Sequence, residues 1–259
     1  MGDVHRIQAM VGVTIAPLGN PQRAFAALRA LGARGAQLSA TQPGMRPREL
    51  GASARRDLVA TLARNELVAS GFDVWIPPSH FVDPAHADRA IDAVIAACEL
   101  AGELGRVPVT LELPVAAADD AACRARRAEA VAAMAAAADR HGVRIADAGG
   151  GADAPWPPIG ASIDAAGSLA QGSDPAADLA RAGARGVSVR ISDLSRTGMR
   201  VPPGDPGGRL DLLALRVAIE LTGSTGLPVI DARQWAEPVD GVGRALAAWG
   251  AAVPGAPIH

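Results

Sequence analysis

Seven polar residues stand at or just beyond the ends of short apolar runs: His80, Glu112, Asp147, Asp164, Arg190, Asp193 and Asp231. If the chain folds so that these run ends meet, several carboxylates share one mouth. Like charges in a restricted volume repel and raise each other's pKa, so such a mouth needs a cationic partner. A divalent metal would be one partner and an arginine another. Carboxylates held with an electrophile can move a proton next to a carbonyl, one group taking the proton while the other polarises the oxygen. Lysine chemistry is excluded, because all 25 basic residues are arginine; no Schiff base or lysine general base can form.

The elements that must position these groups follow from the pattern. Strands are expected at Ile7–Ile15, Gly35–Ser39, Val68–Ile76, Val107–Leu113, Val143–Ala146, Ile159–Ile163, Val187–Ile191 and Leu227–Ile230. Helical spacing fills most of the intervals: Pro21–Leu31 behind an Asn20 cap, Arg46–Asn65, Asp83–Leu104, Asp119–Arg140, a short helix opened by Asp174-Pro175, Leu210–Leu221 and Val239–Trp249. Alternating strand and helix implies a parallel sheet with helices outside, and eight such units in a chain of 259 residues predict one closed (β/α)₈ TIM barrel, a single domain over 1–259. The Gly- and Pro-rich stretch between Asp147 and Ile159 is too short for a helix, so the fifth helix is expected to be missing or reduced. In such a barrel the C-terminal ends of the strands carry the chemistry, and the seven polar residues fall there.

Composition narrows the class. Apolar residues make up 49% and aromatics 3%, so Ala, Val, Leu and Ile must build the core. A net charge of −2 gives no reason to expect a nucleic-acid partner. No run is long and apolar enough for a membrane span or laid out as a signal peptide, which predicts a cytoplasmic protein. Cys98 and Cys123, both in Ala-rich helical patterns, read as buried thiols rather than a disulfide.

From Ile159 to Asp231 the order is an Asp after strand six, Asp174-Pro175 opening a helix, Arg190-Ile191-Ser192-Asp193, a glycine-rich loop from Pro203 to Gly208 before Leu210-Asp211, and an acid ending strand eight. In these residues the chain resembles the xylose-isomerase-like TIM barrel family of sugar-phosphate isomerases and epimerases, which also has an endonuclease branch. The resemblance implies metal ligands at the ends of strands five to eight, two of them glutamates acting as acid and base on either face of a sugar carbon. Carried over by position, these fall on Asp147, Asp164, Arg190 and Asp231. Only Asp164 keeps the expected type. Asp reaches about 1.5 Å less than Glu, and a guanidinium cannot ligate a metal. Arg190 could instead occupy the cation's place and pair with an acid.

The resemblance therefore implies a sugar or sugar-phosphate isomerase or epimerase, with Asp147, Asp231 and Arg190 as catalytic residues. The alternative is a metal-free, inactive barrel that binds a carbohydrate or other small molecule. His80, Trp156 and Arg233 are the expected substrate contacts. Asp164, Glu112, Asp147 and Asp231 are the candidate ligands should Mn²⁺ or Mg²⁺ bind, with no metal at all the other expectation. A homodimer is compatible with the Ala-rich helices, and Trp75 is expected in the barrel wall.

Overall fold

The computed structural model describes residues 10–115, 120–149, 157–223 and 226–252. Eight parallel strands close into a barrel in the order β1-β10-β7-β6-β5-β4-β3-β2. They are β1 (Gly12–Thr14), β2 (Gly35–Ser39), β3 (Val68–Asp73), β4 (Val109–Leu111), β5 (Ile145–Asp147), β6 (Ile159–Asp164), β7 (Gly186–Ile191) and β10 (Val229–Ile230), with β8 (Asp193–Leu194) and β9 (Arg200–Val201) forming a separate antiparallel ribbon. The helices are α1 (Pro21–Ala30), α2 (Ala52–Arg64), α3 (Ala87–Glu103), α4 (Ala121–His141), α5 (Ala165–Ala170), α6 (Pro175–Ala182), α7 (Leu212–Thr222) and α8 (Pro238–Ala251).

Local chemistry sets several of these boundaries. Asn20 Oδ1 accepts from the backbone of Gln22 and Arg23 to start α1, with Pro21 at its first turn. Asp174 opens α6 and Asp211 opens α7 by the same side-chain capping. Gly142, left-handed, ends α4. Helix α2 starts at Ala52 rather than at Arg46, because Pro47 begins a separate 3₁₀ turn through Glu49. Likewise Val68–Ile76 is a strand only to Asp73; beyond it Pro77 and Pro78 lead into a 3₁₀ turn at Pro78–Phe81. The sequence pattern did not disclose α5 or the β8–β9 ribbon. Among the described residues no helix lies between β5 and β6; residues 150–156, including Trp156, lie outside them.

The core runs between the barrel and the helix ring. Phe25, Leu28, Leu38, Phe72, Leu100, Leu111, Met134 and Ile159 are all fully buried. Cys98 is buried within it, its thiol pushed up to about 12 by burial, and both cysteines are free. Among the described residues no helix is long and apolar enough to cross a membrane.

Candidate functional site: an ion cluster closing the barrel

The largest fully buried side chain is an arginine. Arg190, near the end of β7, is 1% exposed. Its Nη1 donates to Asp73 Oδ1 at 2.9 Å, while Nε and Nη2 donate to Asp231 Oδ2 at 3.2 and 3.0 Å. Asp73 ends β3, which lies four strands away from β7 around the barrel, and Asp231 follows β10, the neighbour of β7. A second guanidinium completes the cluster. Arg233 donates Nε to Asp231 Oδ1 at 2.8 Å and Nη2 to Asp231 Oδ2 at 2.7 Å, with Nη1 3.5 Å from Asp73 Oδ2. Trp75 lies against both cations, its ring centroid 4.0 Å from Arg233 Cζ and 5.3 Å from Arg190 Cζ. It is thus a rim residue facing the cluster, not a residue of the barrel wall.

Two carboxylates and two guanidiniums balance in charge where little water can reach. Burial pushes Asp231 up to about 6, with Arg190 pulling the other way and Asp73 adding to the rise. Burial also raises Asp73, again opposed by Arg190. Burial tends to lower Arg190, but the fields of Asp73 and Asp231 outweigh it and the guanidinium is held more firmly charged. A buried pair of this kind contributes modestly as a whole, yet removing one member strands a charge.

Asp164 stands apart in a pair of its own. Both of its oxygens accept from Arg200, Nη1 to Oδ1 at 3.0 Å and Nη2 to Oδ2. The β8–β9 ribbon positions Arg200, and Asp193 secures that ribbon: its Oδ1 accepts from the backbone N–H groups of Leu194, Arg209 and Leu210 at 2.6, 2.8 and 2.8 Å. Gly208 is required there, since a Cβ at that position would sit 2.0 Å from Asp193 Oδ2. Ser192 Oγ accepts from Trp235 Nε1 at 3.0 Å and fixes the neighbouring turn.

Asp147 is buried, but Oδ1 accepts from the backbone of Leu113 and Gly149 at 3.0 and 2.9 Å. The register pairs Ala146, not Asp147, with Thr110 and hence with Asp73. The Asp147 side chain therefore leaves β5 on the opposite face from Asp73. Glu112 is half-buried and makes no hydrogen bond or ion pair among the described residues. His80 stacks on His86 with ring centroids 4.5 Å apart, and His86 Nδ1 lies 2.6 Å from Asp83 Oδ2. His86 is thus held between the His80 ring and Asp83. Trp75, His80 and His86 line a cleft of about 470 Å³ beside the cluster.

The donor set can be weighed against a divalent cation. Asp231 and Asp73 offer both their oxygens to guanidinium, Asp164 offers both of its own to Arg200, and Asp147 faces backbone amides. The four expected ligands are not gathered, and among the described residues no group of three or more His, Cys, Asp or Glu could hold a metal. These residues do not fit such an ion. The residues read as one ligand set are instead engaged separately: arginine N–H groups bond the oxygens of Asp231 and Asp164, backbone amides bond Asp147 Oδ1, and Glu112 stands by itself among the described residues.

Residues 25–146 match the sequence model of the family described as xylose isomerase-like TIM barrel. That match spans a little under half of the chain. Similar solved structures include a xylose isomerase domain protein from Alicyclobacillus acidocaldarius subsp. acidocaldarius, at TM-score 0.69 and 17% identity over 94% of this chain and 98% of that one. Another is a D-psicose 3-epimerase from Clostridium cellulolyticum H10, with D-tagatose, at TM-score 0.71 and 14% identity over 93% and 97%. A third is a xylose isomerase-like TIM barrel protein from Mycobacterium smegmatis in complex with magnesium, at TM-score 0.68 and 16% identity over 94% and 97%. At these identities the likeness is one of fold. No curated protein matches the chain. Within this barrel, Asp73 and Arg200 are the site residues that sequence reasoning missed. Asp73 sits inside what reads as one strand from Val68 to Ile76, and only the closed barrel brings it to Arg190.

Proposed function

We propose that this chain is a sugar isomerase- and epimerase-like barrel that binds a carbohydrate-like small molecule without a metal, and that ion pairing silences the proton-transfer chemistry expected of Asp231. The observation that carries this reading is Arg190: a permanent cation, almost fully buried, bonded at once to Asp73 and Asp231. A carboxylate whose lone pairs accept from two guanidiniums is a poor base, and one sealed from solvent cannot meet a substrate carbon. The accessible surface at this rim includes the cleft beside Trp75 and His80, and Arg233 stacks on the same indole. An aromatic face flanked by fixed donors suits a sugar ring.

The test is a titration of EDTA-treated protein with neutral pentoses, hexoses and ketohexoses, with the recovered sugars examined by NMR. The reading expects saturable binding that Trp75→Ala weakens, and sugars recovered unchanged. Appearance of an epimer or isomer in the recovered sugar would reject it.

A second reading has its own support. Asp231 holds its proton up to about 6, close to the working range of a general acid or base. With Arg190 or Arg233 polarising a carbonyl, a rim that opens would allow isomerisation by proton transfer next to that carbonyl. Exchange of a sugar C–H in deuterated water, lost in Asp231→Asn, distinguishes this reading from the first.

A further inference from the structure

We propose that the cleft between the β2–α2 and β3–α3 segments is an anion-binding site, taking a small molecule that carries a phosphate monoester or carboxylate, through Arg46, Arg48 and Arg89. The site is the cleft of the carbohydrate reading and rests on that reading for its sugar portion, while the anion contacts stand on residues outside the ion cluster.

Three arginines from two separate segments converge on this cleft of about 470 Å³, a volume in the range of small-ligand sites. Arg46 is half committed, Nη1 donating to Glu49 Oε1 at 2.9 Å and Nε to the Thr41 carbonyl at 3.3 Å. Arg48 and Arg89 are exposed and have no acidic partner among the described residues. Elsewhere in the fold Arg29, Arg34, Arg55, Arg181, Arg200 and Arg244 each face a carboxylate. Among the described residues that line the cleft Glu49 is the one acid, against Arg46, Arg48 and Arg89, so its walls carry a net positive charge.

Arg89 lies in the first turn of α3 beside Asp88, which offsets the positive end of the helix dipole. No side chain caps that turn: His86 stands at the N-cap position without a capping bond. An anion is called for by the three guanidiniums of Arg46, Arg48 and Arg89 on one cleft, which can share a single acceptor. Trp75, His80 and His86 supply a flat wall for the remainder of the ligand.

The test uses the full chain at low ionic strength with inorganic phosphate as the probe, read by thermal shift and isothermal titration. Phosphate is expected to stabilise the protein saturably where sodium chloride of equal ionic strength does not. In Arg48→Ala/Arg89→Ala the dissociation constant should rise about tenfold or more. Both side chains are exposed, so the variant keeps its ligand-free melting temperature. Arg23→Ala/Arg56→Ala, which removes two exposed arginines elsewhere, leaves binding unchanged. A hexose monophosphate and the neutral hexose then identify the source of the anion. Tighter binding of the monophosphate than of inorganic phosphate or neutral hexose means a sugar phosphate; equal binding of the two phosphates means the free ion. Both results support the site. Stabilisation no greater than that of chloride, or the same loss in both double variants, overturns it.

Discussion

Arg190 Nη1 lies 2.9 Å from Asp73 Oδ1, a contact between residues 117 apart in sequence that spans the barrel from β7 to β3. It ties opposite walls of the fold together at the level where a catalytic centre would be expected. On the metal-free reading Arg190 is a structural cation, and removing it has a measurable cost. Arg190→Ala leaves Asp73 and Asp231 buried with only Arg233, and should lower unfolding free energy by about 3–5 kcal/mol. Urea denaturation checks this, and a double-mutant cycle with Asp73→Asn should show strong non-additivity.

Arg200 provides the contrast. It pairs bidentately with Asp164, but the two side chains are 21% and 27% exposed. Arg200→Ala should cost only about 1 kcal/mol by the same measurement. A cost equal to that of Arg190→Ala would mean that exposure does not separate the two pairs.

The pH dependence follows from Asp231. Its carboxyl titrates at about 6 when folded, against an ordinary 3.8. The folded state therefore binds more protons between those values, so the stability contributed by this group is full below 3.8 and declines as pH rises to about 6. The loss is up to about 3 kcal/mol. The stability difference between the native chain and Asp231→Asn should fall between pH 4 and 6.5 and level off above. A difference that grows with pH would contradict the dominance of burial over pairing at this carboxyl.

The β8–β9 ribbon depends on one carboxylate oxygen. Asp193→Ala removes the acceptor for three backbone N–H groups and should cost about 3 kcal/mol or more. Gly208→Ala, whose Cβ would press on the same carboxylate, should cost about 1–3 kcal/mol. Hydrogen exchange of Arg209 and Leu210 amides should accelerate in both variants.

Much of the barrel was legible because its signals are local. Gly35–Ser39 is a strand as read, and Asn20 and Asp174 cap helices where the cap-then-proline pattern placed them. The site was legible only in part. Arg190 and Asp231 meet as the run-end pattern suggested, and Arg233 joins them. Asp147 is set apart from Asp73 by one residue of register: in a strand that single step turns the side chain to the other face. Asp73 and Arg200 carried no local signal, since their roles are set by partners far away in sequence and, for Arg200, by a ribbon of two-residue strands. Trp156 lies outside the described residues.

The most direct test of the central claim is metal content of the purified protein, combined with melting temperature after adding Mn²⁺, Mg²⁺ or Co²⁺ and then EDTA. If Arg190 and Arg233 fill the place of a cation, the protein carries no stoichiometric metal, and neither the metals nor EDTA shifts the transition. Near-stoichiometric metal with an EDTA-reversible stabilisation would contradict the account, showing that the acids at this rim release their arginines to hold an ion.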